Sequence, residues 1–388
     1  LGTNLRQLGV QEINIIDLVK PITKYAVMVE DAKKIKYHLD KSIYLSQENR
    51  PGPVWVDIPA NIQNAEINKK NFVEFNISKL KKTRKIKKNS NFINKVLALL
   101  LKSKKPLFLL GHGVKISNSQ LLYKKIIQRY KIPFCVTWNA SDVIESDNKF
   151  YMGRPGAFAE RGTNFIVQNC DLIICIGTRL PFMVTGYNSK KFAKNAKIVM
   201  VDIDSNELNK PSLRLNLKIN SDAKDFGSKL EKKLANKILN IDNDWLKYCN
   251  FIRKKYPITL NEYVKQKKYV NSYYFINILS KKLSQGECVV TDMGLSFVGT
   301  HQAFNIKKNQ KLYTNSGHAP MGWGLPAAIG AYFASKRKKI ICITGEGGLQ
   351  MNIQELSTIM HHQIPIKIFI YNNGGYLTIK QTQQLGFN

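Results

Sequence analysis

Acidic residues are scarce in this chain and paired cysteines are missing. Its 388 residues carry 27 Asp and Glu against 60 Lys and Arg, a formal charge of +33. The six cysteines, Cys135, Cys170, Cys175, Cys249, Cys288 and Cys342, form no Cys-x-x-Cys pair. That absence argues against a disulfide framework or a zinc site and leaves reduced core thiols, set in apolar runs such as 172–177. No apolar run approaches the roughly 18 residues that span a bilayer. The start at Leu1-Gly2-Thr3 shows no basic-then-apolar leader. A soluble, cytoplasmic protein without a membrane partner is expected.

The positive charge raises nucleic acid as a partner, but its distribution argues otherwise. Lysine is spread with Asn and Ile along the whole chain, and only Lys79 to Lys88 is dense. Stacking aromatics do not interleave with the basic residues, so the reading is a solvated lysine surface and no nucleic-acid partner. An acidic substrate or a phosphate-bearing ligand would still feel this field.

An apolar fraction of 44% suffices for a core in each of the two to three domains this length predicts. Residues 1–62 end in Arg50-Pro51-Gly52-Pro53, a rigid turn that delivers the apolar strand Val54 to Ile58. The polar and basic stretch 63–91 reads as a linker. Residues 92–225 alternate strands (Pro106 to Leu110, Pro133 to Trp138, Asp171 to Gly177, Lys197 to Asp202) with helical patterns such as Leu121 to Tyr130. Continuous apolar strands with helices between them imply an α/β fold with a parallel sheet covered on both faces. Residues 226–268 are charged and aromatic and read as a helical second connection. From 269 the α/β pattern resumes to 388, with a strand at Cys288 to Thr291 and a helix at Ala327 to Ala334.

The chemistry concentrates between Lys339 and Tyr376. A strand, Ile340 to Thr344, runs into Gly345-Glu346-Gly347-Gly348. A helix with Ile353, Leu356, Ile359 and Met360 on one face is expected next, then a strand, Ile366 to Tyr371, ending at Asn372-Asn373-Gly374-Gly375. A βαβ crossover makes the strands parallel, so both loops emerge at the edge where α/β sheets bind ligands. The glycines Gly345, Gly347 and Gly348 admit a phosphate to the backbone, and the following helix turns its positive end toward it. Glu346, the Asn373 side-chain carbonyl and a backbone carbonyl near Gly375 are hard oxygen ligands suited to Mg²⁺ shared with phosphate. Taken alone, the same residues are also ordinary glycine and Asn-Gly turns. The acid between glycines, the helix and the paired Asn, with the 24 residues 348–371 separating Gly347 from Asn372, raise the magnesium-diphosphate reading above that one.

These residues together resemble the thiamine diphosphate-dependent enzymes. Gln350 to Leu356 and Met321-Gly322-Trp323-Gly324-Leu325-Pro326 are similar to the acetolactate synthase branch. Gln11-Glu12, Pro21 to Lys24 and Arg50 to Pro53 match the end of that family's pyrimidine-binding domain. The resemblance implies a three-domain architecture of parallel-sheet domains, with 1–62 the end of the pyrimidine-binding domain, 92–225 a central Rossmann-like domain and 269–388 the diphosphate-binding domain. The first and last domains are expected to be incomplete, and the family's catalytic glutamate is expected upstream of Leu1.

Carried over residue by residue, Glu346, Asn373 and the Gly375 carbonyl would hold Mg²⁺. Met293, Gly294, Leu295 and Ser296 would reach the diphosphate from the other side, and Met321 would sit beneath the thiazolium. For members that bind FAD, the counterparts here are Arg50, Gly156, Arg179 and Asp202, and flavin binding stays open. The motif usually carries Asp where Glu346 stands, and the added methylene moves the carboxylate outward by more than about one ångström. The implied activity is decarboxylation of a 2-keto acid, pyruvate first, with transfer of the two-carbon unit to a carbonyl acceptor. A simple 2-keto-acid or oxalyl-type decarboxylase and a non-catalytic remnant are the alternatives. A homodimer or homotetramer is implied, and a regulatory subunit is left open.

Overall fold

The structure, a computed structural model, describes residue 10 and residues 13–78, 91–335 and 339–387. It divides into two compact units, Leu1–Ser90 and Asn91–Asn388. Lys79 to Lys88, Gln11 and Glu12 fall outside the described residues.

In the first unit, strand β1 (Tyr25–Met28) runs parallel to β2 (Val54–Asp57), with Tyr25 opposite Val54. The helix Ile35–Gln47 makes the crossover between them, as parallel neighbours require. The turn before β2 is held by Lys24, whose Nζ donates to the carbonyls of Glu48 at 2.7 Å and Arg50 at 3.1 Å. Part of the expected linker folds back on this unit, where the Phe75 ring meets Tyr37 at 5.6 Å and Tyr44 at 5.9 Å.

The second unit contains two parallel sheets. The first is built from β3 (Pro106–Leu110), β4 (Phe134–Val136), β5 (Leu172–Ile176), β6 (Lys197–Asp202) and β7 (Leu217–Asn220), in the order β4-β3-β5-β6-β7. Every residue of β3 and β5 is buried. Phe108, Leu110, Ile174 and Ile176 enter one core while Leu107, Leu109, Ile173 and Cys175 enter the other, the signature of a sheet covered on both faces. The stretch expected to connect is packed: helix Asn243–Lys255 buries Trp245, Cys249 and Ile252 in the second of these cores. Trp245 and Cys249 lie four apart and Ile252 three further, one face of a helix, and the surrounding lysines mask that spacing in a composition-based reading.

The second sheet comprises β8 (Cys288–Thr291), β9 (Lys311–Tyr313), β10 (Ile340–Gly345) and β11 (Ile366–Tyr371), in the order β11-β10-β8-β9. The chain passes from β8 to β9 on one side and then to β10 on the other. That reversal opens a crevice at the carboxyl ends of β8 and β10, the place where open α/β sheets bind ligands.

One expectation about this sheet is corrected. The helix after Gly345 is not continuous: it spans Glu346–Met351, breaks, and resumes as Glu355–His361. Ile353 lies in the break at 46% exposed and Met360 is 78% exposed, so Ile353, Leu356, Ile359 and Met360 do not share one face of a continuous helix. Asn352, the short polar residue at the break, turns its side chain to a neighbouring loop, a competition with helical bonding typical of Asn.

All six cysteines are buried free thiols. Burial pushes the Cys249 and Cys342 thiols up to about 12, which makes them core filling rather than reactive groups. Among the described residues no helix is long and apolar enough to cross a membrane.

Candidate active site

The crevice floor is Asp292, the residue that follows β8. Its amide donates to the Ile343 carbonyl of β10 at 2.8 Å, extending the ladder by one step. The side chain is 1% exposed. One carboxylate oxygen accepts from the amides of Met293 at 2.9 Å and Gly322 at 3.1 Å; the other accepts from the Thr344 hydroxyl at 2.8 Å. Among the described residues no cation pairs with it. A buried carboxylate is costly to desolvate, and here directed N–H and O–H donors meet that cost.

The surrounding glycines are explained by this carboxylate. A Cβ on Gly348 would collide with the Asp292 carboxylate oxygen, and one on Gly324 would lie 2.8 Å from the Asp292 Cβ. Gly322 has φ +82° and is clamped on both sides: Asp292 takes its N–H, and the Asn352 side chain donates to its carbonyl at 2.7 Å. The turn carrying Met321 is therefore fixed from beneath, with Met321 itself half-buried.

The two loops singled out from the sequence come together. The Gly375 amide donates to the Glu346 carboxylate at 2.7 Å, so the loop after β10 and the loop after β11 share a direct bond. Gly374 and Gly375 have φ of +76° and +98°, which glycine adopts without strain. The Tyr376 ring covers Gly347, where a Cβ would lie 2.5 Å from a ring carbon. Lys380 donates to the Gly374 carbonyl at 2.9 Å. Asn373 is exposed at the tip. Glu346, Gly347 and Gly348 form the first turn of the short helix, where backbone N–H groups lack intrahelical partners.

On the facing side, Gly294 has φ +75° and introduces the helix Leu295–Ala303. Ser296 is buried and its hydroxyl donates to the Met293 carbonyl at 2.8 Å; it shapes this loop from inside, while Met293, Gly294 and Leu295 are half-buried.

The four residues considered for flavin are divided between the two units. Gly156 has φ +137°, and its amide and carbonyl are both bonded to the Asn164 side chain at 2.9 Å. That peptide has its donor committed, so it does not fit a backbone contact to flavin. Asp202 ends β6 nearly buried and accepts from the Asp204 amide at 2.9 Å. Arg179 is exposed, with its carbonyl taken by Lys210 at 3.1 Å. Arg50 is exposed in the first unit. At the reversal of the first sheet, Gly113 packs 2.7 Å from where a Cβ on Gly177 would stand, so these glycines serve close backbone packing.

Sequence reasoning missed Asp292, Thr344, Asn352 and Tyr376. For Asp292 a signal existed: an acid directly after the apolar strand Cys288–Thr291.

Each sheet of the second unit overlaps a domain of known proteins. Residues 93–230 match the thiamine pyrophosphate enzyme central domain, and residues 292–388 match the thiamine pyrophosphate enzyme C-terminal TPP-binding domain, which begins at Asp292. An acetolactate synthase large subunit of Cyanidium caldarium is 33% identical over 379 residues, 96% of this chain and 64% of that protein. The isozyme 1 large subunit of Escherichia coli is 28% identical over 375 residues, covering 97% and 64%. A large subunit from Lactococcus lactis is 29% identical over 374 residues, covering 96% and 64%. The chain thus spans slightly under two thirds of the length of these relatives. With the central and TPP-binding domains both matched, and the loops of the second sheet converging on one crevice, the chain belongs to the thiamine pyrophosphate enzyme family.

Proposed function

We propose that this chain forms the diphosphate-binding side of an enzyme that decarboxylates a 2-keto acid, pyruvate first, and transfers the two-carbon unit to a carbonyl acceptor, as an acetolactate synthase does. The observation that carries this reading is the bond between Glu346 and the Gly375 amide at 2.7 Å. It brings a carboxylate and the Asn373 loop to one side of the crevice between β8 and β10. Glu346, the Asn373 side chain and the Gly375 carbonyl would hold Mg²⁺, a hard-oxygen set of the kind that cation takes alongside phosphate.

Bound there, thiamine diphosphate supplies the nucleophilic carbon and the electron sink for decarboxylation. The work of the chain is positional. Gly345, Gly347 and Gly348 let the backbone approach the diphosphate. Met293 and Gly294 bound the other wall, with Leu295 beginning the helix behind them and Ser296 fixing their carbonyl. Met321, held on the clamped Gly322 turn, would support the thiazolium from beneath and keep water from the reacting carbon. Flavin is outside this proposal.

The relatives' printed name, large subunit, supports a smaller companion chain. A homodimer or homotetramer is supported by the apolar side chains that flank the Asn373 loop in the open: Ile370, Leu377 and Ile379 are each more than two-fifths exposed. Calorimetry of the full-length protein with thiamine diphosphate and Mg²⁺, followed by mass spectrometry of the products from pyruvate, tests the proposal. A condensed product is expected. Free aldehyde alone would reassign the protein as a simple decarboxylase, and no heat at millimolar cofactor would make it a non-catalytic remnant.

A further inference from the structure

The positions of Asp292 suggest more than a structural filler. Its side chain reaches three segments that come from distant parts of the sequence: its own loop at Met293, the Met321-Gly322 turn and the last residue before the Gly345 loop. In the proposed site these are the near wall, the support beneath the thiazolium and the diphosphate loop. A carboxylate can serve all three because each oxygen accepts more than one bond; an Asn has one such oxygen and would present N–H₂ to donors on the other side. The neighbours are cut to fit it, since Gly348 and Gly324 leave no space for a Cβ beside Asp292. The group is buried, ionisable and without a cation among the described residues, yet it stands at the sheet's reversal rather than deep in a core.

We infer that Asp292 is a positioning residue for the cofactor, a single buried acceptor that sets the Met321 turn and the Gly345–Gly348 loop in register with each other. The inference rests on the proposed cofactor site and deepens it. It requires Asp292 to act through Gly322 and Thr344, not by touching the reacting atoms. The register of the turn against the loop then decides first how tightly the bent cofactor is held, and reaches the chemical step only through that hold.

The test uses the full-length protein with Asp292→Asn, Thr344→Val and Thr344→Ser, measuring thiamine diphosphate affinity at saturating Mg²⁺, kcat at saturating cofactor, and thermal unfolding without cofactor. Asp292→Asn is expected to weaken cofactor affinity at least tenfold, a larger fold-change than its effect on kcat at saturating cofactor. Thr344→Val, which removes one donor and leaves the carboxylate, is expected to weaken it severalfold, and Thr344→Ser, which restores the hydroxyl, to recover it. If Asp292→Asn does not fold, the Thr344 pair decides alone. Variants that bind cofactor as the parent does, with only lower unfolding temperatures, overturn the inference and leave the cofactor site intact. A parent protein that binds no cofactor overturns both.

Discussion

The Glu346 carboxylate accepts the amide proton of Gly375 at 2.7 Å, joining the ends of two neighbouring parallel strands, β10 and β11. The longer acid standing where the family's motif usually has Asp is what reaches across. Glu346 therefore has two separable duties: stapling the loops, which needs an acceptor oxygen, and binding metal, which needs a charge. Glu346→Gln keeps the first and removes the second. We expect Mg²⁺-dependent cofactor affinity to fall at least tenfold while the unfolding temperature moves by only a few degrees. Calorimetry across a Mg²⁺ series checks this, and unchanged affinity would reduce Glu346 to a staple.

The glycines after β10 differ in what surrounds them. A Cβ on Gly347 meets the Tyr376 ring, which is 45% exposed and free to swing outward. A Cβ on Gly348 meets the carboxylate of Asp292, which is bonded on every side. Gly347→Ala is therefore expected to be nearly neutral in stability, whereas Gly348→Ala costs about 1–3 kcal/mol. Urea unfolding of the two variants decides it; equal losses would contradict the packing described above.

Arg154 is 2% exposed and joins the two sheets of the second unit. It donates to the Ser141 hydroxyl at 3.1 Å, to Glu160 at 3.2 Å and to the Phe304 carbonyl at 2.9 Å. Arg154→Met preserves the bulk but leaves Glu160 only the Tyr151 hydroxyl at 3.5 Å and takes the guanidinium from the Phe304 carbonyl. Breaking such a pair from one side costs about 3–5 kcal/mol. A loss below about 1 kcal/mol in urea unfolding would show that water replaces the guanidinium there.

His301 lies against the same network, 1% exposed, with its Nδ1 3.2 Å from the Ser141 hydroxyl and its ring against Phe297 and Trp138. Burial, and secondarily the Arg154 charge, hold its pKa well below the usual imidazole range. The folded protein therefore keeps His301 neutral at a pH where the unfolded chain protonates it. Stability is present in full above the unfolded pKa of about 6.5 and is lost as pH falls below it, at up to about 1.4 kcal/mol per pH unit for this one proton. His301→Gln is expected to flatten that slope between pH 6.5 and 5. Parallel slopes for the two proteins in urea titrations would rule His301 out as the source.

Much of the site was legible in the residues themselves. Ile340 to Gly348 and Ile366 to Gly375 show a strand, a glycine-flanked acid and an Asn-Gly turn in order, each set by local rules of chain geometry, and the structure brings Glu346 beside Gly375. The helix between them was misjudged because periodicity reports spacing and not cover: Met360 has the right spacing but lies 78% exposed. In 226–268 the helical reading holds at Asn243–Lys255, but the packing of Trp245 into a core, hidden among lysines, was not seen.

The sequence by itself determined most of the strands, the parallel α/β class and the two loops, because backbone preference and hydrophobic pattern act over a few residues; the short β1, β7 and β9 were not seen. Only the tertiary structure decided that Asp292, Gly322 and Thr344 meet. Thirty residues separate Asp292 from Gly322 and fifty-two separate it from Thr344. A hydrogen bond between residues so far apart depends on strand order, and no local propensity encodes it.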